Sequence, residues 1–308
     1  MKKLSFIIPC YGSEKTVELV INEIIDTVSR REYEYEIIAV NDKSPDCVLE
    51  VLKKIAVKNE RVKVLSLAKN MNRPGALMAG MSVCTGDYVI LMDDDGQCPT
   101  ENLWRLINPL EEGHDVSIAK YPSYKQSVFK SFGTVVNRKM TEIIMDKPKN
   151  LSFTNFVALN RYIVEQMLKY RNPYPYMTGL ILRTTSDIVN VEMQERERIA
   201  GSTTFTFKKM LKLWVNGFTA FSVKPLRIST IIGTIVALAG FFYGLYIIID
   251  KLFFHPEILQ GYSSLMATFL FIGGMIMTML GLIGEYIGRI YICINDSPQY
   301  VIKERINL

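Results

Sequence analysis

Short apolar runs alternate with amphipathic segments from residue 4 to about residue 120. The apolar runs have the length and β-branched content of strands buried on both faces, and they span residues 4–8, 36–40, 62–67, 88–92 and 116–119. The segments between them carry apolar residues at helical spacing and span residues 13–30, 46–58, 75–84 and 100–110. Ser13 is the predicted N-cap of the first helix. This alternation predicts an α/β fold with a mostly parallel sheet and helices on both faces.

Polar residues follow four of the predicted strands at their carboxyl ends. These segments are 9–11 (PCY), 41–44 (NDKS), 68–70 (AKN) and 93–95 (DDD). Ligands of open parallel sheets bind outside the carboxyl ends of the strands, so we expect these four segments to line one binding edge. The sequence has neither GxGxxG after the first strand nor GxxxxGK[ST], so the usual dinucleotide and P-loop signatures are missing.

Three consecutive aspartates, Asp93, Asp94 and Asp95, end the fourth predicted strand and precede Gly96 and Gln97. Carboxylates this close together repel each other, and a cation is the usual reason for gathering them at one strand end. Oxygen ligands with an open face suit Mg²⁺ or Mn²⁺ that is also held by the phosphates of a substrate. A solvated acidic turn that caps the next helix is the alternative, and the three aspartates alone do not decide between the two.

The composition limits the classes of partner and site. A net charge of +5 over 308 residues gives no reason to expect a nucleic-acid partner. The five cysteines are scattered and form no CxxC pair, which disfavours thiolate metal sites and disulfides and fits a reducing cytosol. The two histidines, His114 and His255, are far apart, which argues against a zinc site or a Ser-His triad.

The C-terminal third contains two long runs without charge, at residues 228–249 and 262–284. At 1.5 Å per residue each helix would be about 33 Å long, enough to cross a bilayer core. The short connection between the runs predicts an antiparallel transmembrane hairpin. The hairpin is flanked by basic residues: Lys224, Arg227, Arg289, Lys303 and Arg305. Both of its ends are therefore expected on the cytoplasmic side. The spacings Gly240-x-x-x-Gly244 and Gly284-x-x-x-Gly288 predict close-packing faces, for the hairpin itself or for neighbouring subunits of a homo-oligomer.

Two amphipathic segments precede the hairpin. Residues 127–145 have the pattern of an amphipathic helix. Further on, Lys208, Lys209 and Lys212 alternate with bulky apolar residues, as in helices that lie in the headgroup layer of a membrane. The sequence therefore predicts a catalytic or binding domain over residues 1–205, a juxtamembrane segment over 206–227, and the transmembrane hairpin with a short cytoplasmic tail over 228–308.

Five motifs occur in order along the first domain: 6–14 (FIIPCYGSE), 40–46 (VNDKSPD), 69–80 (KNMNRPGALMAG), 85–87 (TGD) and 92–97 (MDDDGQ). They resemble the motifs of family-two glycosyltransferases, which have the GT-A fold, a Rossmann-like and mostly parallel α/β architecture. The chain is similar in particular to the polyisoprenyl-phosphate glycosyltransferases, the group that includes dolichol-phosphate mannose synthase and bacterial lipid-phosphate glucosyltransferases. This resemblance covers nearly the whole chain.

The resemblance implies roles for residues of the donor site. Asp42 would hydrogen-bond the nucleobase, which can be uracil or guanine. The other residues implied to bind the donor nucleotide are Pro9, Tyr11, Glu14, Asn70, Asp93 and Asp94. Asp93 and Asp95 match the Asp-x-Asp motif, so the implied ligands of Mg²⁺ or Mn²⁺ are Asp93, Asp95 and Gln97, with Asp95 also a catalytic residue. Asn72 replaces a frequent glycine, which Asn tolerates because it accepts left-handed backbone angles.

The resemblance also implies an acceptor site. Residues 194–205 (QERERIAGSTTF) match a family segment, with Arg198, Gly201 and Thr203 in register. Arg198 is the second predicted catalytic residue, because guanidinium groups suit phosphate oxygens. The residues predicted to bind the acceptor or a phosphate are Arg73, Arg198, Thr203 and Lys208. The alternatives are a solvated loop cation for Arg73 and a surface Glu–Arg cluster for Arg198. At the position of Asn155, many relatives carry an acidic residue that has been proposed as the base of the reaction.

The function implied is an inverting, metal-dependent glycosyltransferase of the bacterial inner membrane with its catalytic domain in the cytoplasm. It would move a sugar from a nucleotide sugar, expected to be a UDP-sugar, to a polyprenyl phosphate. Two alternatives stay open: a glycosyltransferase that extends a glycan or modifies another lipid, and a non-catalytic nucleotide-sugar-binding membrane scaffold. A processive polymer synthase is disfavoured, because the sequence lacks the Gln-x-x-Arg-Trp motif and further apolar runs.

Overall fold

A computed structural model describes residues 2–122, 147–197, 224–253, 261–295 and 297–308. The chain forms two compact units, one of Met1–Leu213 with Asn295–Leu308 and the other of Trp214–Ile294. The predicted amphipathic segments at 127–145 and around Lys208 lie outside the described residues.

An eight-stranded sheet organises the first unit. Its strands are β1 (Lys3–Cys10), β2 (Glu34–Asn41), β3 (Val62–Leu67), β4 (Tyr88–Leu91), β5 (Val116–Lys120), β6 (Val157–Asn160), β7 (Ile188–Glu192) and β8 (Ile302–Ile306). The order across the sheet is β7-β5-β6-β4-β1-β2-β3-β8. β1 to β4 are mutually parallel and β5 is parallel to β7, whereas β6 runs antiparallel to β4 and β5, and β8 antiparallel to β3. The predicted α/β fold with a mostly parallel sheet is confirmed.

Six helices of the first unit are described: α1 (Val17–Val28), α2 (Val48–Lys58), α3 (Asn72–Met81), α4 (Leu103–Glu111), α5 (Arg161–Leu168) and α6 (Met177–Thr184). The prediction that Ser13 caps α1 is wrong. The Thr16 and Val17 N–H groups both donate to the Ser13 carbonyl, so residues 13–16 form a turn and α1 begins at Val17. No pattern in the sequence predicted α6, β7 or β8.

Helices cover both faces of the sheet, which explains why its central strands are apolar on both sides. Phe6 and Ile8 of β1 belong to a core shared with α1, α2 and α4. Ile7 points to the other face, where α3 approaches closely. A Cβ added to Gly80 of α3 would lie 2.4 Å from Ile7 Cγ2, so only glycine allows this approach. This contact sets the position of α3, whose first turn forms part of the binding edge.

The motif at residues 85–87 lies at the amino edge of the sheet, away from the binding edge that the sequence predicts. Buried Glu36 accepts hydrogen bonds from Ser5 Oγ at 2.6 Å, from the Thr85 N–H at 2.6 Å and from Lys63 Nζ at 2.7 Å. Burial would raise the pKa of Glu36, but these donors outweigh it and lower the pKa to about 2. A Cβ on Gly86 would lie 2.8 Å from the Lys3 carbonyl oxygen. This motif therefore stabilises the sheet.

The second unit contains α7 (Lys224–Phe253) and α8 (Tyr262–Ile294), which include the two predicted charge-free runs. By length and composition, one stretch among the described helices can cross a membrane, Phe271–Ile294, with a mean hydropathy of 1.5; Ser229–Tyr243 is a shorter apolar stretch. Gly233 of α7 lies against α8, since an added Cβ would be 2.8 Å from Met279 Cε.

Three glycines of the predicted close-packing faces differ from Gly233. A Cβ at Gly240, Gly284 or Gly288 would meet no atom within 4 Å. These three glycines therefore do not form the contact between α7 and α8. Close packing against a neighbouring subunit stays a prediction for them.

Candidate active site

The segments that follow the parallel strands meet at the carboxyl edge of the sheet. The Tyr11 N–H donates to Asp94 Oδ2 at 3.2 Å, which joins the end of β1 to the end of β4. The Met71 N–H donates to Asp42 Oδ1 at 2.6 Å, which joins the segment after β3 to the end of β2. Pro9 is buried in β1 beside them. The expectation that these strand ends line one edge therefore holds.

Asp42 is a buried carboxyl group, with 3% of its surface exposed. Burial raises its pKa to about 6, although the N–H groups of Met71 and Asn72 act in the opposite direction. The surrounding backbone is unusual, because Lys43 (φ 53°) and Asn72 (φ 59°) both adopt left-handed angles. The Asn72 N–H donates to Asn70 Oδ1 at 3.1 Å. A buried acid with a raised pKa at a strand end is a candidate partner for an N–H group of a ligand.

Arg73 and Asn155 hold the first aspartate of the triplet. Arg73 Nε donates to Asp93 Oδ1 at 2.6 Å, and Asn155 Nδ2 donates to Asp93 Oδ2 at 2.5 Å. Arg73 Nη2 also donates to the Asn155 carbonyl at 3.1 Å. Both oxygens of Asp93 therefore have protein donors. The sequence identified Asn155 only as a replaced acid, and nothing local indicated that it contacts Asp93.

The other two aspartates differ in environment. Burial and repulsion from Asp93 raise the pKa of Asp94 to about 6. Asp95 Oδ1 accepts a hydrogen bond from the Gln97 N–H at 3.1 Å. Gly96, between them, has φ 79°, a backbone angle that suits glycine. The triplet concentrates negative charge at the strand end, which a bound cation would relieve.

A divalent ion fits this edge only if the substrate supplies part of its coordination. In the part of the chain that the structure describes, no three His, Cys, Asp or Glu side chains form a metal-binding group. Mg²⁺, however, is usually bound through one or two carboxylates together with substrate phosphates and waters. Asp95, with Gln97 beside it, suits a site of that incomplete kind. Asp93 would join it by sharing an oxygen that also accepts from Arg73 or Asn155.

Glu14 joins the segments after β1 and β2. Its Oε2 accepts from the Cys47 N–H at 3.1 Å, and its own N–H donates to Asp46 Oδ2 at 3.0 Å. Burial would raise the pKa of Asp46, but hydrogen bonds from Ser44 and from backbone N–H groups lower it. Glu14 therefore stabilises the start of α2. Its contact with base and ribose stays a prediction.

Three predicted acceptor-site residues lie outside the described residues: Arg198, Thr203 and Lys208. The segment just before them is attached to the first unit through Arg196. Its N–H donates to the Gln97 carbonyl at 3.1 Å, and its guanidinium forms ion pairs with Glu23, at 2.7 Å, and with Glu101. A surface Glu–Arg cluster, which the sequence offered as the alternative for Arg198, is thus present at Arg196.

Comparison with known proteins agrees with this geometry. The sequence model of glycosyl transferase family 2 matches residues 5–168, and that of the GtrB C-terminal hairpin matches residues 224–290. The prophage bactoprenol glucosyl transferase homolog of Escherichia coli (strain K12) is 32% identical over 311 residues, which cover 98% of each chain. The undecaprenyl-phosphate 4-deoxy-4-formamido-L-arabinose transferase of Proteus mirabilis (strain HI4320) is 30% identical, covering 100% of this chain and 95% of the relative.

A solved structure shares the fold of the first unit. It is glucosyl-3-phosphoglycerate synthase from Mycobacterium tuberculosis in complex with Mn²⁺, uridine-diphosphate and phosphoglyceric acid. The match has a TM-score of 0.51 at 20% identity and covers 69% of this chain and 74% of the other. The strand-end acids, the sheet topology and the similarity along the whole sequence lead to one conclusion: this chain belongs to glycosyl transferase family 2 and has a GT-A-like α/β fold.

Proposed function

We propose that the protein transfers a sugar from a UDP-sugar to a polyprenyl phosphate at the cytoplasmic face of the bacterial inner membrane, with inversion at the anomeric carbon. One observation carries the proposal: Asp42 and the triplet Asp93–Asp95 gather at one sheet edge, in a chain similar over its whole length to proteins named as bactoprenol and undecaprenyl-phosphate sugar transferases.

The donor nucleotide would lie across the ends of β1 and β2. The buried carboxyl of Asp42 would accept a hydrogen bond from the nucleobase, and burial makes such a bond strong because water competes little there. Tyr11, which is 56% exposed at the same edge, offers an aromatic face to the base. Pro9, Glu14 and Asn70 would complete this half of the site.

The diphosphate would lie at the end of β4. Asp95, with Asp93 and Gln97, would hold Mg²⁺ or Mn²⁺, which neutralises charge on the departing diphosphate when bound. A protein of the same fold was crystallised with Mn²⁺ and uridine-diphosphate, which supports a divalent ion beside the diphosphate. Arg73 lies beside Asp93 and adds a fixed positive charge. Its guanidinium group suits phosphate oxygens.

The acceptor phosphate needs no protein base. The second pKa of a phosphate monoester is about 6, so at neutral pH an ionised oxygen is available to attack the anomeric carbon as the bond to the diphosphate breaks. Asn155 is consistent with this, because its amide donates to Asp93 and cannot take up a proton. Arg198, Thr203 and Lys208 are the proposed contacts of the acceptor phosphate.

The second unit would anchor the enzyme as a two-helix transmembrane hairpin. Bulky apolar side chains are exposed along α7 and α8, among them Phe241, Phe242, Phe269 and Tyr291. Exposed apolar surface of this extent is rare in soluble monomers and typical of membrane contact. The match to the GtrB C-terminal hairpin over residues 224–290 supports the same interpretation.

The test uses full-length protein in nanodiscs with undecaprenyl phosphate, Mg²⁺ or Mn²⁺ and a panel of radiolabelled nucleotide sugars. We expect label to enter the organic phase with at least one UDP-sugar. Asp95→Ala should lower this transfer at least about a thousandfold, because the leaving group loses its charge partner. Asp26→Ala, on the outer face of α1, serves as the control and should be active. Wild-type turnover in Asp95→Ala would contradict the metal assignment, and nucleotide binding without transfer would favour a scaffold.

A further inference from the structure

The C-terminal residues 297–308 lie beyond both matched regions, 5–168 and 224–290. They belong to the first unit rather than to the helical unit that precedes them in sequence. β8 pairs antiparallel with β3, with Arg305 opposite Leu65 and Glu304 opposite Ser66. This pairing covers an edge of the sheet that would otherwise expose unpaired backbone groups. The segment does more than cover an edge, because its first residues reach the binding edge.

Gln299 fixes the start of this segment. It is buried, and its side-chain Nε2 donates to the Tyr170 carbonyl at 2.6 Å and to the Asn172 carbonyl at 2.7 Å. The other end of the C-terminal segment is also held by a side-chain amide that donates to two main-chain carbonyls. Asn307 Nδ2 donates to the Ala56 carbonyl at 2.8 Å and to the Val62 carbonyl at 2.9 Å, at the amino end of β3.

The backbone around Gln299 braces residues 68–75, which comprise the connection from β3 to α3 and the first turn of α3. The Ala68 N–H donates to the Val301 carbonyl at 2.8 Å. Seven residues further on, a Cβ added to Gly75 would lie 3.3 Å from the Gln299 carbonyl oxygen, so Gly75 lets the two backbones meet. Residues 299–301 therefore form a hydrogen bond with Ala68 and pack closely against Gly75.

The braced segment contacts two acids of the candidate donor site. The Met71 N–H donates to Asp42, and the Arg73 guanidinium pairs with Asp93, both at 2.6 Å. Between them Asn72 has a left-handed φ of 59°. Asparagine accepts this angle, so the turn can carry a side chain between the two contacts.

We propose that Gln299 is a positioning residue of the donor site, acting through residues 68–75 on Asp42 and Arg73. The inference rests on the proposed function, since it assigns to the C-terminal segment a role in nucleotide binding. The C-terminal segment thereby becomes a required part of the nucleotide site, although it is separated from the other site residues by the whole helical unit.

The test compares Gln299→Ala with Asn307→Ala in the full-length protein. Each substitution removes an amide that donates to two main-chain carbonyls, but only Gln299 lies at the binding edge. We expect both variants to lower the melting temperature by similar amounts. Only Gln299→Ala should raise the Kd for UDP with Mn²⁺ and the KM for the nucleotide sugar, by about tenfold, while the KM for undecaprenyl phosphate stays unchanged. Gln299→Met, which keeps the volume but cannot donate, replaces Gln299→Ala if the latter does not fold.

Hydrogen exchange of the backbone gives a second, direct measurement. The amides of Ala68 and Met71 should lose protection together in the Gln299 variant and keep it in Asn307→Ala. Equal loss of nucleotide affinity in both variants, or an unchanged Kd in Gln299→Ala, would overturn the proposal. A wild-type protein that binds no nucleotide would refute the proposed function instead, and the exchange of Met71 would then still report whether Gln299 orders the segment.

Discussion

Asp42→Asn should make the protein more stable and at the same time weaken donor binding. Burial raises the pKa of Asp42 from 3.8 to about 6. A change of 1 in a pKa corresponds to about 1.4 kcal/mol, so the ionised carboxylate costs about 3 kcal/mol of folding free energy at neutral pH. Asparagine avoids this cost because it does not ionise. Its Oδ1 can still accept the hydrogen bond from the Met71 N–H.

The pH dependence has a defined sign. An acid whose pKa is higher in the folded state costs nothing below its unfolded pKa of 3.8, and the cost grows until the pH passes about 6. The stability difference between Asp42→Asn and wild type should therefore widen by about 1 kcal/mol between pH 5 and pH 7.5. The loss of nucleotide affinity should be largest at pH 7.5, where the wild-type carboxyl is ionised and the amide presents an N–H group where the base needs an acceptor. It should be smaller at pH 5, where the wild-type carboxyl is mostly protonated.

Thermal unfolding in detergent at pH 5, 6 and 7.5 measures the stability difference, and calorimetric titration with UDP and Mn²⁺ measures the affinity. Glu112→Gln, an exposed acid at the end of α4, is the matched control and should change neither quantity. An Asp42→Asn variant with wild-type stability at every pH would refute the claim that burial of this carboxyl is costly. Unchanged nucleotide affinity would remove Asp42 from the donor site.

Two further substitutions test the amino edge and the acceptor side. Glu36→Gln should lower the free energy of unfolding by about 3 kcal/mol at neutral pH, because the pKa of Glu36 is lowered from 4.5 to about 2, without changing the Kd for UDP. In the wild type this stabilisation should disappear as the pH falls from 4.5 to about 2, and an acid titration of both proteins checks it. Asn155→Asp places a second carboxylate against Asp93 and should lower kcat for sugar transfer at least about tenfold by repulsion. A faster Asn155→Asp enzyme would instead indicate that an acid here acts as a base.

Much of the binding edge was readable from local sequence patterns. The buried parallel strands β1 to β4 are recognisable as apolar runs, since a strand covered on both faces has no polar side. The residues at their carboxyl ends, such as Asp42 and Asp93, could then be assigned to one edge, because parallel neighbours end on the same side. Asn72 was also foreseen as a left-handed position.

Contacts between residues far apart in the sequence could not be predicted in this way. The pairing of Asn155 with Asp93 depends on β6 entering the sheet antiparallel to β4, and no pattern near either residue encodes that choice. The return of β8 to β3 likewise depends on a free sheet edge created elsewhere in the chain.

The amino-acid order thus sets the strands, the helices and the acids at the strand ends, because periodicity, burial preference and turn chemistry act over a few residues. Which carboxylate meets which donor is settled by three-dimensional packing. Gln299 illustrates this: its amide has no distinctive neighbours in sequence, and its position beside the donor site exists only once β8 has docked on the sheet.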